Sequence, residues 1–119
     1  GPLVQHALPA MLHMVHQNKI TLEKVVEKMS HAPARCFRLK ERGFIREGYF
    51  ADLVLIDMNH QRKVTRDNLL YKCRWSPFEG TEFSASVMHT FVNGQHVYNL
   101  GTIDDSVRGM RLAFQKKHD

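Results

Sequence analysis

Residues 43–57 read Gly43-Phe44-Ile45-Arg46-Glu47-Gly48-Tyr49-Phe50-Ala51-Asp52-Leu53-Val54-Leu55-Ile56-Asp57, and within them the chain changes its hydrophobic period. Gly43 and Gly48 punctuate it, and Leu53-Val54-Leu55-Ile56 is a short apolar run of strand formers with an acid on either side. Alternation would expose one face of a strand, whereas an unbroken apolar run asks for cover on both. The run is therefore read as a strand covered on both faces. Asp52 and Asp57, which bracket it, read as exposed turn residues.

Upstream, the period is helical. Val4, Leu8, Met11, Leu12 and Val15 recur at the spacing of one buried stripe, so residues 4–16 are expected to form a helix packed on another element. Asn18 and Lys19 break it. Thr21 is placed to cap a second helix with Leu22, Val25, Val26 and Met29 on one face. A third short helix should then be capped by Ser30, carry Pro33 in its first turn and end at Gly43, with Phe37 and Leu39 supplying contacts.

Downstream, Val64 marks a short strand, residues 67–72 a helical turn, and Pro77-Phe78-Glu79-Gly80 a turn. Asn93-Gly94 between residues 87–92 and 95–98 is the dipeptide best suited to the positive φ values of a type I′ hairpin. The tail beyond Gly101 is weakly patterned and should fray near its end. A helical front third and a strand-rich remainder look like two incomplete pieces, because three helices and a few strands close neither a bundle nor a barrel.

The chain has 119 residues, 43% of them hydrophobic, with a formal charge of +5 and a pI near 9.5. That suffices for one small core. No apolar run approaches the ~20 residues of a membrane span, and no basic-then-apolar leader precedes the first helix, so a cytoplasmic protein with no membrane partner is expected. The basic residues Arg35, Arg38, Lys40, Arg42 and Arg46 are interrupted by Glu41 and Glu47. They read as a solvated face, with no nucleic acid as partner. Cys36 and Cys73 form no C-x-x-C pair and read as reduced thiols, Cys36 as a buried helical one.

Eight histidines make metal binding the first chemistry to test. His6, His13 and His16 can share a helix face, but no carboxylate joins them at i+3 or i+4, and H-E-x-x-H is absent. His31, His60, His89, His96 and His118 lie singly in different contexts and read as satisfied polar residues. No nucleophile elbow, P-loop or dinucleotide fingerprint is present. The residues by themselves give a mixed α/β piece with no visible catalytic set.

Several strings together resemble the C-terminal part of the dihydroorotases and their amidohydrolase relatives. Gly1-Pro2-Leu3-Val4-Gln5-His6-Ala7-Leu8-Pro9 is similar to the loop and helix after the last barrel strand of that family. Ile20-Thr21-Leu22 with Ser30-His31-Ala32-Pro33-Ala34-Arg35, Phe37 and Leu39 matches a further stretch. Residues 43–57 match a signature shared across hydantoinases, allantoinases and ureases. The narrower likeness to dihydroorotase rests on Lys72, Ser76-Pro77-Phe78-Glu79-Gly80, Thr90-Phe91-Val92-Asn93-Gly94-Gln95-His96-Val97-Tyr98 and Gly109-Met110-Arg111-Leu112.

The resemblance implies the last outer helices of a (β/α)8 barrel in residues 1–42. It implies the C-terminal strands of an accessory β-sandwich in residues 43–101, and a tail in residues 102–119. It further implies a parent enzyme that reversibly hydrolyses dihydroorotate, a small-molecule substrate, to N-carbamoyl-aspartate, with two divalent ions, usually zinc, activating water. The metal-holding histidines, lysine and aspartate of the family precede the first residue here. No catalytic or metal residue is thus expected in this chain, which should be inactive alone. Only Gly1, Pro2 and Leu3 would border the substrate, at the mouth where barrel sites lie; a Gly-Pro start is also what cleavage of a fusion tag leaves. A non-catalytic scaffold subunit and a piece of another cyclic amidase are the alternatives. A helix cut from its barrel exposes an apolar face, so self-association into a homo-oligomer or rearrangement of that helix is expected.

Overall fold

The computed structural model describes residues 4–65, 68–69, 77–104, 106 and 109–115. A 3₁₀ turn, Val4–His6, leads into α1, Ala7–His16. Next come α2, Leu22–Val26, a π-helical turn, Glu27–His31, and α3, Ala32–Cys36. The strands are β1 Leu53–Asp57, β2 Arg62–Lys63, β3 Glu82–Phe83, β4 Ser86–Val92, β5 Gln95–Asn99 and β6 Thr102–Ile103. They form a four-stranded sheet in the order β1-β4-β5-β6 and a two-stranded ribbon of β2 and β3. Among the described residues no helix is long and apolar enough to cross a membrane. The chain divides into two compact units, residues 1–22 with 56–86, and residues 23–55 with 87–119.

In the first unit α1 follows its stripe, with Leu12 fully buried and Leu8, Met11 and Val15 partly covered. The helix stops where the sequence asks it to. Asn18 takes a left-handed φ of 55°, and the N–H groups of Asn18 and Lys19 cap the Val15 and Met14 carbonyls. Val64, Leu69 and Phe83 form the buried cluster, with Ala10 and Phe78 packed against it. Each such side chain contributes about 1.5–3 kcal/mol when fully buried. The short β2–β3 ribbon pairs Arg62 with Phe83 and Lys63 with Glu82. Beyond it the pairing continues through Val64 N–H to the Thr81 carbonyl (2.8 Å) and Gly80 N–H to the Val64 carbonyl (2.8 Å). Residues 77–80 form the expected turn. The helical turn expected at residues 67–72 lies largely outside the described residues, as does Cys73.

In the second unit the expected break between two helices is absent. Residues 22–36 run as one helical stretch, and Ser30 sits inside its π turn instead of capping a new helix. Pro33 supplies the reason. It has no N–H for the i−4 carbonyl and its ring crowds that turn. The register is taken up just before it, where Ala32 N–H bonds the carbonyl of Glu27, five residues back. The helix ends at Cys36, not at Gly43; Phe37 N–H and Leu39 N–H close on the Pro33 and Ala34 carbonyls, and Arg38 takes a positive φ of 54°. Val25 is buried, but Val26 and Met29 on the same expected face are about two-fifths exposed.

Gly43 has to be glycine. Its φ is +84°, and a Cβ there would lie 2.4 Å from the Ala34 Cβ and 3.0 Å from the Ser30 carbonyl. The tail is tied further along than its pattern suggests. Leu39 pairs with Phe114 through two bonds of 2.8 Å, Lys40 N–H to the Ala113 carbonyl and Gln115 N–H to the Arg38 carbonyl. The hairpin forms as read, with φ of 53° at Asn93 and 77° at Gly94 and with a bulge between Thr90 and Phe91. The cover expected on both faces of β1 is not supplied among the described residues, since Val54 and Leu55, on opposite faces, are each 48% exposed.

Candidate functional site

Three histidines project from the first helical segment, and each is held by its own unit. His6 is buried with its ring centroid 6.0 Å from those of both Phe78 and Phe83. Desolvation, helped by the nearby Arg62 charge, lowers its pKa below the usual 6.5. His13 places Nδ1 2.8 Å from the Ser84 hydroxyl. His16 donates from Nε2 to the Met58 carbonyl, which can only accept. His60, read as solitary, meets Ser86. The Ser86 hydroxyl gives its one proton to the His60 carbonyl (2.8 Å), so His60 Nδ1, 3.1 Å from that oxygen, must be a donor. His6 and His13 fasten the helix, and His60 its loop, to the β3–β4 region, while His16 ties the helix to the turn after β1. Among the described residues no group of three or more His, Cys, Asp or Glu is arranged to hold a metal ion.

The described residues therefore offer no ligand set that fits a zinc pair. The substrate-border residues Gly1, Pro2 and Leu3 lie outside the described residues.

The second unit holds what sequence reading missed. Arg42, taken as part of a solvated basic face, is only 6% exposed. Its guanidinium bonds the Asp52 carboxylate and lies 4.2 Å over the Phe50 ring. Asp52 also accepts the Asn93 N–H (2.8 Å), and the Ala51 carbonyl accepts the Gly94 N–H (2.9 Å). So the acid before β1 ties Arg42, the strand and the hairpin turn together. Asp57, by contrast, does the expected turn work, accepting the Asn59 N–H. The only available signal for Asp52 was an acid directly before an apolar strand, and that signal has many causes.

Around Phe44, His31 stacks at 4.3 Å and 7°, and the guanidinium groups of Arg46 and Arg35 stand 4.2 and 5.1 Å from the ring centroid. Here the basic residues are exposed, as read. Cys36 is exposed, not buried, because it falls on the outward side of the last helical turn with Arg35 and Phe37.

His89 and His96 are not solitary either. The I′ turn and the bulge put His89, Phe91 and His96 on one face of the sheet, with Phe91 paired to His96. His89 Nδ1 lies 2.9 Å from His96 Nε2, and Phe91 stacks on the His96 ring at 4.6 Å and 12°. The Asn93-Gly94 turn was legible, so this pairing was within reach of the sequence, but only with the bulge placed.

Comparison with known proteins gives one consistent result. A model described as "Amidohydrolase family" matches residues 4–97. The dihydroorotase of Pyrococcus furiosus is 32% identical over 117 residues, covering 98% of this chain and 28% of that protein. An allantoinase of Desulfitobacterium hafniense is 32% identical over 102 residues, 86% of this chain and 23% of its own length. Among solved structures, the L-hydantoinase (dihydropyrimidinase) of Arthrobacter aurescens superposes with a TM-score of 0.74 at 31% identity, over 81% of this chain and 22% of that one. The chain thus spans less than a third of the length of the relatives it matches.

Proposed function

This chain belongs to the amidohydrolase family, and on that premise we propose that it is the C-terminal portion of a dihydroorotase, an enzyme that reversibly hydrolyses dihydroorotate to N-carbamoyl-aspartate in pyrimidine biosynthesis. The observation that carries this is the near-complete coverage of the chain by dihydroorotases, 98% at 32% identity, against 28% of their length. On this reading, residues 1–42 are the last outer helices of a (β/α)8 barrel, residues 43–101 the C-terminal share of a small β-sandwich, and residues 102–119 a tail. The half-exposed Val54 and Leu55 support it, because an apolar strand of that kind is a surface waiting for cover from more polypeptide.

The chain by itself is inactive on this reading, and the parent's two divalent ions, zinc by family habit, are held by residues of the barrel proper. The parent is cytoplasmic and acts on a small cyclic amide. It engages neither nucleic acid nor membrane, and it self-associates. A second reading, another cyclic amidase, is favoured by one observation each from the allantoinase and hydantoinase likenesses.

Turnover of dihydroorotate, hydantoin and allantoin by the intact protein that carries this chain separates the two. Dihydroorotate is expected to have the highest kcat/KM. A preference for allantoin or hydantoin would replace the first reading with the second, and no turnover of any of the three would point to a non-catalytic scaffold.

A further inference from the structure

We propose that His89 and His96 form a two-imidazole site for a divalent first-row ion that prefers ligands at right angles, nickel(II) or copper(II), on the exposed face of the β4–β5 hairpin. The proposal starts from a distance. Two ring nitrogens about 2.0–2.1 Å from one ion are about 2.8–3.0 Å apart when they subtend 90°, and about 3.3–3.4 Å apart at a tetrahedral angle. The His89 Nδ1 and His96 Nε2 atoms are 2.9 Å apart. That is the span of two neighbouring corners of a square or an octahedron, and it is equally the length of the N–H···N hydrogen bond that the rings make without metal, so it brings both nitrogens within reach of one ion. The ligand set, imidazoles with the other corners left to water, is what favours nickel(II) or copper(II).

The scaffold favours the pair in two further ways. The backbone beneath it is set by the tight turn at Asn93 and Gly94, whose N–H groups are held by Asp52 and by the Ala51 carbonyl. His96 is held by its stack on Phe91, so only the His89 ring must turn to bring both lone pairs onto one ion from their present interplanar angle of 41°. In the metal-free pair one imidazole donates its proton to the other. On binding, each ring carries its proton on the remaining nitrogen, and the ion takes the space between them. His13, His16 and His60 differ, since each spends a ring nitrogen on a serine or a carbonyl of its own unit. Two ligands leave the other corners of the ion to water or to an outside donor.

Nickel(II)–iminodiacetate is a suitable probe, because the chelator leaves three adjacent corners open and nickel does not oxidise the exposed Cys36 thiol. Titration calorimetry on the intact protein, with His89→Gln and His96→Gln beside it, should show one site at least tenfold tighter than in either variant. The zinc(II)–iminodiacetate complex should give a smaller ratio. NMR on the unaltered protein gives a reading that needs no variant: sub-stoichiometric nickel should broaden the His89 and His96 ring signals before those of any other histidine. Equal affinity in the variants, a zinc ratio as large as that of nickel, or first broadening at another histidine would each overturn the assignment.

Discussion

Replacing Asp52 by Ala removes one partner of an ion pair whose other partner, Arg42, is almost fully enclosed. Breaking a buried pair from one side costs about 3–5 kcal/mol, because the remaining charge stays desolvated. The Asp52 side chain is itself 33% exposed, so water can partly reach the gap, which lowers the expected cost to about 2–4 kcal/mol. The lost acceptor for the Asn93 N–H lies within that figure. Asp52→Asn keeps an oxygen for Asn93 and loses the charge, so it should cost less than Asp52→Ala. Arg42→Met keeps the stem over Phe50, and in combination with Asp52→Ala should recover at least ~1 kcal/mol of the summed losses, the sign of direct coupling. Urea unfolding followed by far-UV circular dichroism measures the parent and all four variants, and amide exchange at Asn93 reports the hairpin contact. An Asp52→Ala protein within 0.5 kcal/mol of the parent, or a strictly additive double variant, would refute the reasoning.

Gly43→Ala combines a positive φ with overlap on Ala34 and should cost about 3 kcal/mol or more, whereas Gly94→Ala, with nothing within 4 Å, should cost only about 1–2 kcal/mol; thermal unfolding orders the two. His6 is favoured in its neutral form. The unfolded chain therefore binds the extra proton first, and stability present above pH 6.5 falls as pH drops through the lowered native value. A ring titration by NMR should place His6 below 6.5, and a value at or above it removes the effect. Leu12→Ala, at a site with no exposed surface, should cost about 2–5 kcal/mol in denaturant unfolding.

Local rules carried the sequence reading where a single residue type decides the backbone. Asn93-Gly94 fixed a turn, Asn18 ended a helix, and the apolar stripe around Leu12 gave α1 its buried side. They failed where two local signals agreed on a boundary that the fold overrides. Ser30 offers a cap and Pro33 a first turn, yet the helix runs through both, because a one-residue register shift ahead of Pro33 costs less than ending one helix and nucleating another. They failed again where long-range contacts set the environment. Nothing near Arg42 in sequence distinguishes it from Arg38 or Arg46, and only the arrival of Asp52 and Phe50 buries it.

That failure bears on what the family signature is for. In residues 43–57 the glycine at 43 permits close approach to Ala34, while Phe50 N–H bonds the Glu41 carbonyl. Ala51 and Asp52 hold the hairpin turn, and Asp52 holds Arg42. Every one of these contacts joins backbone segments, and none presents a nucleophile, a base or a metal ligand. Contacts of this kind make a joint in the architecture and carry nothing about a substrate, which agrees with the chain's comparable likeness to a dihydroorotase, an allantoinase and a hydantoinase. Choice of substrate has to be argued from residues that touch it, and for this chain the turnover comparison on the intact protein is the measurement that reaches them.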